Sequence, residues 1–573
     1  MKKLLAVSVL AAACAVSMQA QAFKFDTPND WDIRWDNTLK GNLMMRVQNQ
    51  DPSVYDPNRA KPAAAAALAD DADYSVDQGN FVSQRFDILS EMDVVWKDKL
   101  GFRISGAGWY DHAYANDSDA PTSGPTKGYS AANSTWGMLT VQPGEYNDAA
   151  KDLHYRGGEL LDAFVFGNFD ISDSTSANVR VGRHTLYWGQ SLLSTGAIHG
   201  FAGSMAALDL AKGLGTPGSE AKELFIPNNK ISSTVQFSDG WSVSAFYAMG
   251  FEPLRWPAAG TYFSLNEALT EHSECLTAVP GTATTNRTCL RSTDYKSKDS
   301  GDWGINLKYW IEAWDMEASA IYMNNTDRLT SGLYSVFGDQ TAGEVAEAAN
   351  TNASLLGHYG WVYKNDIDTF GFSFSKQYWD ISWGADFVVR MNDALSPELS
   401  ATLFAPVASI GAVDPGKNYP GPTGDTAHIV LNGVGFLDGE WGLWDGGSYI
   451  GELTLSQLLD FDDFENKANA YIKDDNLCSN ISGVFRPTWY QIRPGWDLSA
   501  LASVNYTMTC KQAPNSAGGN EKVGNGSVGV SVDIEQVWNV ALNYNMYYGP
   551  QKNGTAAFIK DRDNLALTVK RTF

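Results

Sequence analysis

Apolar and polar residues alternate with a period of two along this chain from residue 33 to its last residue, Phe573. Between Trp35 and Val47 the odd positions are mostly apolar, while the even ones carry Arg34, Asp36, Thr38, Lys40, Asn42 and Arg46. Side chains of a strand point in turn to its two faces, so each such segment offers one face to an apolar medium and the other to water. The next segment sets Phe86, Ile88, Met92, Val94 and Trp96 against Arg85, Asp87, Glu91 and Asp93. After a KDKLG turn, Phe102 and Ile104 oppose Arg103. Farther on, Trp379, Ile381, Trp383, Phe387 and Val389 alternate with Asp386 and Arg390.

Strands of this kind fall near residues 33–47, 82–97, 101–113, 160–171, 176–189, 229–238, 241–250, 303–311 and 315–324. They continue near 366–376, 379–391, 426–437, 446–457, 479–491, 495–509, 526–536, 537–549 and 563–573. The count is about eighteen, with sixteen as the alternative. Connections alternate between turns of a few residues and long loops at 48–81, 114–159, 190–228, 251–302, 325–365, 392–425 and 458–478. Short turns on one side and long loops on the other mark an all-β fold, a transmembrane antiparallel β-barrel with periplasmic turns and extracellular loops. Trp35, Trp96, Trp241, Trp379, Trp496 and Trp538 all fall at the short-turn ends of strands, as an interfacial aromatic girdle requires. A soluble sandwich would not need polar residues on one phase of nearly every strand.

In that barrel the polar phase faces the lumen, so Arg34, Lys40, Arg85, Asp87, Glu91, Asp93, Arg103, Asp162, Asp386 and Arg390 are candidate lumen-lining residues. In NVRVGRHTLYWGQ strict alternation would point Arg183 into lipid with Val179 and Val181, at about 2 to 4 kcal/mol near the bilayer centre. A bulge near Gly182 would return it to the lumen beside Arg180. The two arginines then form a positive site, or brace the barrel against Asp162, Asp87 or Asp93.

The chain begins MKKLLAVSVLAAACAVSMQAQAF, a basic start, a short apolar run and a small-residue triplet before Phe23. Residues 1–22 therefore read as a secretory signal peptide and 23–573 as the barrel. The net charge of −24 becomes more negative still once Lys2 and Lys3 leave, which argues against nucleic acid as a partner. Four cysteines remain, Cys275, Cys289, Cys478 and Cys510. In an exported protein they read as two disulfides, with barrel topology favouring Cys275 with Cys289 and Cys478 with Cys510.

Catalytic patterns are missing from the sequence. The seven histidines are scattered, with no zinc-peptidase pair, no G-x-S-x-G elbow and no phosphate-binding glycine loop. His112 beside Asp111 reads as a polar strand end, so no enzymatic activity and no cofactor are expected. KPAAAAALADDAD and AGEVAEAANTNA read as short helices in loops, whereas the 190–228 loop is richer in glycine and apolar residues. That loop either folds into the lumen as a constriction or caps the barrel from outside.

The runs ELLDAFVFGNFDI, VRVGRHTLYWGQSLL, LGTPGSEAKELFIPNNKISSTVQFSDGWSVSAFY and EPLRWPAAGTYFS resemble the proteobacterial outer-membrane proteins catalogued as domain of unknown function thirteen-oh-two. Gln190 stands where that family more often has an acid. The resemblance implies an outer-membrane barrel often encoded near a periplasmic lipoprotein and an inner-membrane exporter, and hence traffic of hydrophobic or amphipathic small molecules. It supplies no catalytic or binding residues. The expected function is passage of a small-molecule solute; the alternative is a non-transporting surface barrel, an adhesin or envelope-complex component. The ending NLALTVKRTF reads as the closing strand, in contact with outer-membrane lipid, with Phe573 as the aromatic that barrel-assembly machinery recognises.

Overall fold

A computed structural model describes residues 23–25, 30–55, 71–115, 145–146, 150–237, 239–264, 300–329, 342, 363–395, 423–439, 442–461, 477–510, 521–550 and 559–573, with the backbone alone of four further strands. Eighteen strands follow one another around a ring. They are β1 (Trp31–Arg46), β2 (Phe81–Trp96), β3 (Leu100–Asp111), β4 (Arg156–Ser172), β5 (Thr175–His184) and β6 (Asn228–Phe237). Then come β7 (Trp241–Ala248), β8 (Trp303–Ile311), β9 (Met316–Asn325), β10 (Ile367–Tyr378), β11 (Ile381–Ala394) and β12 (Thr423–Leu437). The last six are β13 (Gly446–Phe461), β14 (Leu477–Arg493), β15 (Trp496–Thr509), β16 (Gly524–Ile534), β17 (Trp538–Tyr548) and β18 (Asn564–Thr572). Each pairs antiparallel with its sequence neighbour, and β18 closes on β1 from Thr38↔Thr572 to Arg46↔Asn564. Asn37 and Phe573 exchange both backbone hydrogen bonds at 2.7 and 2.9 Å, so the last residue is part of the seam. A closed ring leaves no unpaired edge, which a bilayer demands.

The outward phase is the apolar one. Val165, Phe372 and Val530 are each at least half exposed, as residues facing lipid in an isolated chain must be. At the periplasmic rim Trp35, Trp96 and Trp241 are exposed, while Trp379 sits in the turn itself. That turn, expected between the strands at 366–376 and 379–391, forms at Trp379–Asp380, where φ is 51° and 59°, and Lys97–Asp98 and Glu535–Gln536 repeat the geometry. Two successive left-handed residues match the twist of a tight hairpin. Arg571 stays in the outward phase, its guanidinium 4.8 Å over the Trp538 ring and 5.7 Å from that of Phe573.

The wall is uneven in height: β5 to β9 have 8 to 10 residues, whereas β1, β2, β4, β13 and β14 have 16 or 17. Over the seam at the loop side, Arg46, Asp73, Asp561 and Arg562 are wholly buried and ion-paired. The Tyr262 ring lies between the two guanidiniums, at 5.4 and 5.5 Å.

Cys478 and Cys510 form a disulfide across the mouth of the β14–β15 hairpin. Beyond the barrel, Cys275–Val279, Asn286–Arg291, Ala353–Val362 and Gly332–Phe337 make a separate four-stranded sheet. In its backbone register Leu276 stands opposite Cys289, but the cysteine side chains there lie outside the described residues. So do residues 1–22 and the alanine-rich stretches at 61–70 and 343–352.

Candidate functional site

The segment joining β5 to β6 turns into the barrel instead of rising above it. It contains four short helices, α1 (Ser194–His199), α2 (Phe201–Met205), α3 (Leu210–Gly215) and α4 (Ala221–Leu224). Ala207–Leu208 pairs with Phe225–Ile226 and ties the two halves together. Of the two placements left open by its composition, the lumen is the one observed.

Apolar packing holds α2. Phe201 and Met205 are buried against Trp188, Phe246 of β7, Ile321 and Met323 of β9, and Val388 of β11. These wall residues occupy the inner phase, where alternation alone calls for polar side chains. Burying two large side chains here contributes several kcal/mol to seating the segment, at about 1.5 to 3 each.

Polar groups of the wall hold α1 at both ends. The Glu452 carboxylate of β13 accepts the N–H groups of Leu192 at 2.7 Å and Leu193 at 3.2 Å. The N-cap Leu193 supplies no side-chain cap of its own, so the barrel provides the acceptor that the first turn lacks. At the other end Arg390 of β11 donates to the carbonyls of Ile198, His199 and Gly200 at 2.9, 3.2 and 3.0 Å. An anion at the N-terminus and a cation at the C-terminus both suit the helix dipole. Asp386, four residues before Arg390 on the same face of β11, accepts the Gln190 N–H at 2.9 and 3.0 Å, and Asn432 donates to the Gln190 carbonyl. Gly189 precedes it with φ of 95°, and a Cβ there would stand 2.7 Å from an Asp386 oxygen. Only glycine fits that approach.

Ion pairs hold α3 and α4. Lys40 of β1 meets Glu223 at 3.1 Å and Ser219 at 2.9 Å, and Lys212 adds a second cation 3.7 Å from Glu223. Burial works to raise the Glu223 carboxyl, but these two ammonium groups outweigh it and hold it below the usual range. Lys222 reaches Glu91 of β2, and Lys570 of β18 reaches Glu220. Asp209 caps α3 through the Lys212 N–H and pairs with Arg255 at 2.7 Å, while Arg255 also meets Glu159 of β4. Burial pushes the Asp209 carboxyl up against the pull of Arg255.

The sequence-derived candidates thus divide into several groups. Lys40, Glu91, Asp386 and Arg390 grip the inserted segment directly. Arg85 and Asp87 pair with each other at 2.8 Å and are buried under Trp109. Arg103 gathers Glu91, Asp93 and Asp162 at 2.6, 3.4 and 3.5 Å, a braced cluster on the inner face of β2 to β4. Arg34 pairs with Asp36 near the periplasmic rim. Arg180 lies over the Phe164 ring at 5.7 Å and is exposed.

Arg183 departs from expectation. The β4–β5 and β5–β6 ladders run without a shift through Gly182, so no bulge forms there. Arg183 keeps the phase of Val181 and pairs at 2.8 Å with Glu252 from the loop after β7. It sits at the top of a short strand, where its charge reaches a loop carboxylate without entering the bilayer centre, so the cost that motivated a bulge does not arise. The irregularity is one strand away: Ile104 faces Ala163 but Gly106 faces Leu160, an extra residue in β4 beside Asp162. Arg180 and Arg183 therefore do not form a joint site.

Glu452, Asn505, Lys570 and Glu223 were not singled out by sequence reasoning. Glu452 stands in the polar phase of a strand like many others, and its partner lies about 260 residues away.

Space remains on one side of the segment. The inner faces of β1, β2 and β10 to β13 are buried, whereas Leu501, Ser503, Ser527, Ser531 and Asn543 on β15 to β17 are half open. Two cavities lie along this wall. The one toward the loops, about 190 Å³, is bounded by α1, α3 and β13 to β17. The one toward the periplasmic turns, about 650 Å³, is bounded by residues 218–220 and β14 to β18. Leu501 lines the lower cavity and Asn505 the upper one, and Ser503 lies between them on the same face of β15. Asn505 also donates to the Thr195 hydroxyl of α1 at 2.8 Å.

The profile of a family described as "Protein of unknown function (DUF1302)" matches residues 3–573. No curated protein matches the chain. Among solved structures, OccAB1 of Acinetobacter baumannii is similar at 11% identity and TM-score 0.41, over 97% of this chain and 98% of the other. OccK1 (OpdK) of Pseudomonas aeruginosa is similar at 9% identity and TM-score 0.37, over 94% and 98%. OmpF of Salmonella typhi, in a complex with daunomycin, is similar at 7% identity and TM-score 0.35, over 96% and 100%.

Proposed function

The chain belongs to the family of proteins of unknown function DUF1302, and from that premise we propose that it passes small molecules across the outer membrane. The passage runs off-centre along β14 to β17, beside a segment that fills the rest of the lumen. An eighteen-stranded ring is wide enough for an aqueous channel unless something occupies it. The observation that carries the reading is one-sided packing. The segment seats its apolar groups and most of its charged ones against β1, β2 and β7 to β13, and leaves Leu501, Ser503, Ser527, Ser531 and Asn543 of β15 to β17 half open in line with two cavities. A hydrophobic or amphipathic solute suits the upper cavity of that route, where the described lining holds no Asp, Glu, Lys or Arg, better than a strongly charged one. Residues 1–22 serve as the export leader, and the barrel-assembly machinery reads Phe573.

Purified protein in planar bilayers tests the proposal. Discrete openings are expected, with larger conductance after replacement of residues 190–224 by a short flexible linker. A barrel that stays silent in both forms would end the channel reading and favour a surface or envelope-complex role.

A further inference from the structure

The upper cavity differs in chemistry from the rest of the lumen. Among the described residues twenty line it, and none of these carries an ionised side chain. With charged residues at 19% of the chain, about four would be expected among twenty. The lower cavity, by contrast, has Glu220, Arg486, Asp497, Asp533 and Lys570 on its walls. His199 is the one titratable imidazole at the upper cavity, and burial together with nearby Arg390 lowers it to about 3, so it is neutral there.

Charges of the inserted segment are engaged on other sides. Asp209 is taken by Arg255, Glu223 by Lys40, Lys222 by Glu91 and Glu220 by Lys570. The apolar groups that α1 and α3 turn toward the cavity are Ile198, Leu210 and Leu214, with Trp256 beside them, and α1 adds Ser194, Thr195 and the neutral His199. The opposite wall is a ladder of amides and hydroxyls already bonded to one another. Asn480 donates to Asn505 and Thr507, each at 3.2 Å, and Asn505 donates to Ser482 at 2.9 Å and to Thr195. Such a ladder is held in place before any ligand arrives; both amide protons of Asn480 and of Asn505 are spent within it, and the remaining amide lone pairs suit a hydroxyl that donates.

We propose that this cavity is a recognition subsite for a neutral amphipathic molecule, with an apolar ring or chain against Ile198, Leu214 and Trp256 and a hydroxyl donating to the amide oxygens of the Asn480–Asn505 wall. The site excludes ions of either sign, because no charged group among the described residues of its walls replaces the hydration that a charge loses on entry. As a subsite of the passage it rests on the channel reading, but occupancy can be measured without conduction.

The test uses three probes with one frame, 4-nitrobenzyl alcohol, 4-nitrobenzoate and 4-nitrobenzylammonium, whose nitro group quenches tryptophan. Titrated into the full chain in detergent, the alcohol is expected to quench saturably, and both ions at least about tenfold more weakly. Asn505→Asp, which changes almost no volume, is expected to reverse the order of the alcohol and the ammonium ion. Leu214→Asp should do the same from the opposite wall, so the outcome does not hang on one variant, and each is first checked for native heat resistance. Equal quenching by all three probes, or an unchanged order in both folded variants, overturns the subsite. In bilayers the alcohol should also block current. A silent barrel that still binds the alcohol sinks the channel and keeps the site, whereas a conducting barrel indifferent to it does the reverse.

Discussion

Replacing Glu452 by alanine is expected to loosen the inserted segment and widen the pore. Its carboxylate is buried and accepts two backbone N–H groups, from Leu192 at 2.7 Å and Leu193 at 3.2 Å, at the start of a helix with no other cap. Hydrogen bonds to a charged group contribute roughly 1.5 to 3 kcal/mol each, so two amount to about 3 to 6. Alanine also removes the burden of burying a carboxylate, which offsets part of that and favours the lower figure. A shift of about 3 kcal/mol moves the equilibrium between seated and released segment by roughly a hundredfold. Single-channel recording should show long-lived, high-conductance states that are rare in the unaltered protein. Glu452→Gln keeps one acceptor oxygen and should show about half the effect in free energy. Arg390→Ala acts on the other end of the same helix, so the double variant should exceed either single one by less than their sum. Heat resistance of the barrel should change little, since the alanine variant keeps the β13 ladder. Equal conductance and dwell times for Glu452→Ala and the unaltered protein would refute the clamp.

Three other perturbations address different parts of the molecule. The Glu223 carboxyl is held below its ordinary value of about 4.5, so its stabilisation of the seated segment is present above that pH and lost as pH falls through the lower, seated value. Conductance should therefore be steady from pH 8 to about 5 and rise in more acid solution, and Glu223→Gln should abolish that step; an acid step of equal size in the variant would assign it elsewhere. Asp73→Asn strips one carboxylate from two wholly buried guanidiniums over the seam. It should cost about 3 to 5 kcal/mol, read as a lower unfolding temperature with conductance unaltered. Deleting Phe573 removes both backbone bonds to Asn37 and the terminal aromatic, and should reduce the amount of protein reaching the outer membrane more than any pore property. Normal membrane levels of the truncated chain would show that the last residue is dispensable.

The strands were legible because each carries its own evidence. The period of two, the short turns and the girdle tryptophans place all eighteen to within a few residues, and neighbours in sequence are neighbours in the ring. Cys478 and Cys510 follow from the same topology, as does the seam at Phe573. Arg183 was misplaced because alternation says which phase a residue takes but not how high its strand stands. At the top of β5 an outward arginine meets Glu252, and no bulge is needed.

The lumen was less legible. Phe246, Ile321, Met323 and Val388 break the polar inner phase one residue at a time, and in a strand read alone each is an ordinary exception. Together they form the seat for Phe201 and Met205. Lys40, Glu91, Asp386 and Arg390 announce themselves as charges facing inward, yet whether such charges meet water, each other or an inserted helix depends on partners more than a hundred residues away.

The barrel, its sidedness, its seam and its lipid-facing surface are written into the residue order, since these arise from local alternation and from turns that join adjacent strands. That residues 190–224 lie inside, which side of the ring they lean on, and where an uncharged cavity is left emerge when the chain is folded. Those outcomes come from shape and charge matching between a loop and many strands at once, and no short stretch of sequence carries both halves of such a match.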